Sequence, residues 1–158
     1  MSSQRAKHHQ TWSIAVQYGL SRKGLPAATR LRHWARCALE NCAHSVELTL
    51  RIVDHEEGAS LNQSFRQKNY ATNVLTFEYG LDPITQSLTA DIILCAPVIA
   101  SEASEQGKPL AAHYAHMVVH GVLHALGYDH IKPKEAKVME ALEVELLARL
   151  GYANPYAR

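Results

Sequence analysis

Apolar residues recur along this chain with two different periods, and the switches between them divide it into strands and helices. Residues 12–18 alternate as a first strand, and residues 46–54 place Val46, Leu48, Leu50 and Ile52 on one side of a pleat. Between them, Pro26 sits where a first helical turn tolerates it, and Leu31, Trp34, Ala35, Ala38 and Leu39 follow at helical spacing to about residue 40. A short helix over 56–66 brings in Leu61 and Phe65. Strands at 74–79 and 88–96 are joined through Gly80, Leu81, Asp82 and Pro83, a connection short enough for an antiparallel pair. The helix-containing connection between the first two strands instead predicts parallel neighbours.

The C-terminal part is helical. Residues 97–106 form a helix closed by Gly107, and residues 109–126 a second one, apolar over more than one face and therefore set deep in the fold. Residues 134–150 form the last, with Val138, Met139, Leu142, Leu146 and Leu150 at core spacing and Gly151 beyond its end. The expected fold class is α+β: a small four-stranded mixed sheet packed with about five helices in a single domain spanning 1–158, with residues 1–11 as a flexible tail. Strand order does not follow from the pattern.

The 158 residues are 47% apolar and 20% charged with a net charge of +1, ordinary for a soluble domain and silent about nucleic acid unless basic groups are gathered locally. Arg30, Arg32 and Arg36, then Lys132, Lys134 and Lys137, are such local groups, although a solvated face explains them equally well. Cys37, Cys42 and Cys95 form no CxxC pair and suit a reducing compartment. Neither an apolar leader nor a span of membrane length is present, so a cytoplasmic protein is expected. His8 and His9 belong to the tail.

The chemistry concentrates in one run, His120-Gly-Val-Leu-His124-Ala-Leu-Gly127-Tyr-Asp-His130. On a helix, His120 and His124 stand one turn apart, about 6 Å along the axis, so both rings can face one ion. Gly127 supplies a residue that stops the helix and turns the chain, bringing His130 back toward the same place. Three neutral ligands with an open fourth position describe a catalytic zinc site. Copper, nickel or iron would also suit nitrogen donors. With ten histidines in the chain, a coincidental HxxxH pair is the competing reading. His116 extends the helical stripe, but residues eight apart lie about 12 Å along a helix, so one ion cannot take 116, 120 and 124 together; His113 and His116 are expected to be partly buried or to support the ligands from behind.

Zinc proteases carry glutamate beside the first histidine as general base, and here that position is Gly121. A metalloprotease-like hydrolase therefore lacks its proton acceptor. Asp129 is a nearby carboxylate suited to orienting a ligand histidine.

A second stretch, Leu61-Asn-Gln-Ser-Phe65-Arg66-Gln-Lys68-Asn69-Tyr70-Ala71-Thr-Asn73-Val-Leu-Thr-Phe77, followed by Ala90-Asp91-Ile-Ile and the histidine run, resembles the YbeY family of rRNA maturation factors. The departures are Phe65 for a common Tyr, Asn69, Ala71 and Asn73 for Asp, Pro and Asp, and Ala90 for Gly. The resemblance implies a zinc-dependent, single-strand-specific endoribonuclease acting in small-subunit rRNA maturation and ribosome quality control. It also implies one Zn2+ on His120, His124 and His130, a zincin-like helix and turn, and Arg66 as the arginine important for activity. Its partners would be single-stranded RNA, the rRNA precursor and the ribosomal small subunit, with no DNA and no membrane.

A divalent ion and a guanidinium both neutralise charge that builds on phosphate oxygens, which gives Arg66 a role; a solvated arginine at a helix end is the plain alternative. Attack by hydroxide and by the ribose 2′-hydroxyl both remain open. Tyr70, Phe77, Tyr79 and Tyr128 are available to stack unpaired bases, with Phe77 closer to the core pattern. A non-catalytic ribosome-associated protein, with zinc only stapling the His130 loop to its helix, is the third reading.

Overall fold

The computed structural model describes residues 11–66 and 71–157, with Arg66 described in its backbone only. His8, His9, Lys68, Asn69, Tyr70, nearly all of the expected N-terminal tail and the Arg66 side chain lie outside the described residues. In chain order the elements are β1 (Trp12–Tyr18), α1 (Ala28–Leu39), β2 (Ser45–Val53), α2 (His55–Arg66), β3 (Val74–Leu81), β4 (Ser87–Cys95), α3 (Ala96–Gln106), α4 (Leu110–Ala125) and α5 (Pro133–Arg149).

The strands form one four-stranded sheet in the order β1-β2-β4-β3. β1 and β4 flank β2 in parallel, and β3 runs antiparallel to β4 at the edge. Both expected strand directions are therefore present. The sequence left the order open because β2 and β4 are neighbours across an intervening helix and strand, a pairing no local pattern specifies.

Alternation explains how the two faces are used. Val46, Leu48, Leu50 and Ile52 of β2 join Ala90, Ile92 and Leu94 of β4 on the face covered by α1, α4 and α5. The other face carries a smaller cluster, Val53, Leu75, Ile93 and Cys95, with Leu61 of α2 and Phe77 packed against it. Ile92, fully buried, is central to the larger face, and truncating it to Ala would cost about 2–5 kcal/mol.

α4 is the central helix. Eleven of its sixteen residues are buried, as expected of a helix apolar on more than one face. It lies hard against the sheet at Gly121, where a Cβ would stand 2.7 Å from Ile92 Cγ2. Residue 121 thus faces the sheet, and a side chain there requires Ile92 or the helix to shift. At the same place the Thr76 hydroxyl donates to the Gly121 carbonyl at 3.4 Å.

The β3–β4 connection is tied by Asp82, whose carboxylate accepts the Ile84 and Thr85 amides at 2.8 and 2.9 Å. The ladder shifts register between Glu78 and Gly80, so β3 carries a bulge and continues to Leu81, past the expected end at 79. Of the cysteines, Cys95 is buried while Cys37 and Cys42 are half-buried, and all three are free. No helix among the described residues is long and apolar enough to cross a membrane.

Candidate metal centre and active site

His120 and His124 project from the last turns of α4, beside the edge strand β3. The helix then stops on a Schellman turn: Tyr128 N donates to Leu123 O at 3.1 Å and Gly127 N to His124 O at 3.0 Å, with Gly127 at φ 102°. The turn reverses the chain and brings His130 back beside the helix. The His130 ring centre lies 5.1 Å from that of His120 and 6.0 Å from that of His124. Imidazoles sharing a tetrahedral ion at about 2.0–2.1 Å per nitrogen would hold their ring centres roughly 5 Å apart, so the His120–His130 spacing matches a shared ion and the His124–His130 spacing is wider. Among the described residues, no group of three or more His, Cys, Asp or Glu side chains is placed so that it could hold a metal ion.

The hydrogen bonds behind the rings favour one orientation. His120 Nδ1 is 2.7 Å from Glu143 Oε2, and a proton on Nδ1 leaves the Nε2 lone pair directed away from the core. His124 Nδ1 is 3.3 Å from the Tyr128 carbonyl, an acceptor that again requires the proton on Nδ1. Its Nε2 lies 3.5 Å from Glu78 Oε1 of β3, so a carboxylate already stands beside the nitrogen that a cation would use.

Glu143 is the group sequence reasoning missed. It comes from α5, is wholly buried, and accepts from His116 Nε2 at 2.8 Å, from His120 Nδ1 and from the Tyr156 hydroxyl. Burial alone would push its carboxyl up. The bonds from His116, His120 and Tyr156 more than offset that and hold it down at about 2. Burial, together with the bond to Glu143, pushes the Tyr156 phenol well up, so it stays a donor. The available signal was a charged residue in the Met139–Leu146 stripe, where the helical period demands an apolar one.

Asp129, the expected orienting carboxylate, instead accepts the Ile131 amide at 3.0 Å and serves the turn. His113 and His116 are buried, as expected, and His116 supports the site from behind through Glu143. His113 Nε2 is 2.9 Å from Glu102, while burial pushes its pKa down. Part of the predicted basic face is engaged within the protein. Arg30 reaches Tyr152 and stacks on Trp34, and Arg32 donates to the Ile14 carbonyl.

Comparison with known proteins decides the family. The family model described as Endoribonuclease YbeY matches residues 21–151. The chain belongs to the YbeY family. YbeY relatives named Endoribonuclease YbeY include one from Stenotrophomonas maltophilia (strain R551-3), 51% identical over 149 residues and covering 91% of this chain and 92% of its own length. Another, from Bordetella avium (strain 197N), is 52% identical over 151 residues, with coverage of 91% and 92%. Among solved structures, the solution structure of TM1509 from Thermotoga maritima aligns with a TM-score of 0.59 at 22% identity. It covers 92% of this chain and 99% of that one, a likeness of fold. The YbeY match spans both stretches that carried the resemblance, the one around Arg66 and the histidine run.

Proposed function

We propose that this YbeY-family chain is a zinc-dependent, single-strand-specific endoribonuclease acting in small-subunit rRNA maturation and ribosome quality control. One zinc ion would be held by His120, His124 and His130, in a zincin-like helix and turn. The carrying observation is the pairing of His120 Nδ1 with the buried Glu143 carboxylate at 2.7 Å, which leaves Nε2 as the donor toward the neighbouring rings. A carboxylate behind a histidine is the usual support of a metal ligand, fixing tautomer and ring angle. Relatives just over 50% identical that carry the name Endoribonuclease YbeY support the reaction class.

When bound, zinc supplies Lewis acidity to the phosphodiester and its attacking group. The chain's own residues do the rest. Glu143, braced by His116 and Tyr156, holds His120; the Tyr128 carbonyl holds His124; and Gly127 places His130. Arg66, by the family resemblance, pairs its guanidinium with phosphate oxygens and neutralises charge as the bond breaks. The nucleophile, water or the 2′-hydroxyl, is distinguished by whether products end in 5′-phosphate or cyclic phosphate.

The setting would be the cytoplasm, the substrate single-stranded RNA within an rRNA precursor, and the partner the ribosomal small subunit. A protease reading would need a base at residue 121, and that position faces Ile92 rather than the histidines. Cleavage of a single-stranded rRNA fragment, with its duplex as control and with and without chelator, tests the proposal. Chelator-sensitive cutting of the single strand alone is expected, and equal cutting of the duplex would refute the specificity.

A further inference from the structure

A cavity of about 640 Å³ runs from His124 over the edge strand β3 to the end of α2. Thr76, Glu78 and His124 line it on the α4 side, and Phe65, Phe77, Tyr79 and Asp91 line the rest. Two features of the lining are unusual for a surface groove. Phe65 and Tyr79 are 65% and 63% exposed, although each is a large ring that water solvates poorly. Phe65 is held edge-on to Phe77, with ring centres 5.0 Å apart at 64°, so its position is set by packing. The bulge between Glu78 and Gly80 sets Tyr79, whose hydroxyl donates to Asp91 Oδ2 at 2.9 Å.

The second feature is the charge. Among the described residues, the lining includes two carboxylates, Glu78 and Asp91, and no lysine or arginine. Both carboxylates accept hydrogen bonds from N–H groups. Aromatic faces combined with acceptor-only side chains suit a nucleobase rather than a sugar–phosphate backbone.

Resting on the endoribonuclease reading, we infer that this groove is a nucleobase subsite, in which one unpaired base stacks on Phe65 and Tyr79 while the Glu78 carboxylate reads its Watson–Crick edge. The backbone of that nucleotide lies at the His124 end. Guanine fits best, because its N1–H and N2–H groups stand side by side and match the two oxygens of one carboxylate. Uracil fits worst: its single N3–H is flanked by two carbonyls that face the same carboxylate. A base in a duplex has its edge occupied and its faces stacked, so the subsite also supplies a physical reason for selecting single strands.

The test uses the zinc-loaded full chain and fluorescein-labelled 2′-O-methyl oligoribonucleotides that differ only in one G or U, with integrity checked on gels. Binding is read by anisotropy, and cleavage of the corresponding unmodified RNA by the wild type is run alongside. The wild type should prefer the G oligomer by about tenfold. Phe65→Ala should weaken both oligomers by about tenfold, the scale of one lost stacking contact. Glu78→Gln should erase the G-over-U preference while retaining most of the stacking-dependent affinity. Variants that bind both oligomers as the wild type does, beside a wild type that still cuts single-stranded RNA, overturn the subsite alone. A wild type that cuts no single-stranded RNA overturns the parent reading, and the subsite with it.

Discussion

Replacing Glu143 by Gln tests whether the buried carboxylate holds the proposed metal ligand His120. The side chain keeps its size, but only one of its two terminal atoms can still accept. Glu143 now accepts from His116 Nε2 at 2.8 Å and the Tyr156 hydroxyl on one oxygen, and from His120 Nδ1 at 2.7 Å on the other. Whichever way the amide settles, its NH2 confronts a donor. One charge-assisted bond is lost, worth about 1.5–3 kcal/mol, and a buried N–H or O–H is stranded at a further cost of about 1–3 kcal/mol. Some of that overlap is relieved by relaxation, so a loss of roughly 2–4 kcal/mol in the metal-free protein is expected, which a typical domain survives. Because a neutral amide oxygen can replace the carboxylate behind His120 but supports the ring less strongly, zinc affinity should fall by about 10-fold. Urea denaturation of the metal-free protein measures the first quantity, and competition with a chromophoric chelator the second. Tyr156→Phe removes one donor but spares the His120 bond, so it should lower stability while leaving zinc affinity nearly unchanged. A folded Glu143→Gln protein binding zinc within twofold of the wild type would refute the reasoning.

Acid should weaken the fold through the same carboxyl. Its pKa is about 2 in the folded chain against an ordinary 4.5, so its contribution is complete above about 4.5 and disappears as pH falls toward 2. That contribution is on the order of 3 kcal/mol, and denaturant midpoints measured across this range should slope less in Glu143→Gln. Gly121→Ala puts a methyl 2.7 Å from Ile92 Cγ2. Overpacking of about 1–3 kcal/mol should exceed the helix-propensity gain of about 1 kcal/mol, and a smaller residue at 92 should reduce the penalty in a double-mutant cycle. Arg66→Ala should leave zinc content unchanged while slowing RNA cleavage; unchanged cleavage would remove Arg66 from the reaction.

Much of this architecture was legible from periodicity because its elements keep to one rhythm each. The β2 stripe Val46, Leu48, Leu50 and Ile52 is alternation without interruption, and it is buried as such. Pro97 and Gly107 bracket α3, and Gly127 and Gly151 lie just past α4 and α5, so the helix ends fell within a residue or two of expectation. The edge strand was extended by a bulge, which alternation does not announce. The histidine trio was visible because all three residues lie within one helix and its turn. Their supports were not, since Glu143 and Tyr156 reach the site from 23 and 40 residues away along the chain, as measured to His120 and His116. Asp129 was the natural choice by proximity, but a residue in a tight turn has its own backbone to satisfy, and its carboxylate is used there. The alignment of Glu78 with His124 likewise depends on β3 lying beside α4, a tertiary fact.

The most direct measurement is metal analysis of the purified chain combined with cleavage of single-stranded rRNA precursor by wild type and His124→Ala. His124 lies on the flank of α4 with 28% of its side chain exposed, so its loss should leave the fold intact. One zinc per wild-type chain, chelator-sensitive cleavage, and a folded His124→Ala protein with neither tight zinc nor cleavage are predicted. Cleavage at the wild-type rate by His124→Ala would contradict the account.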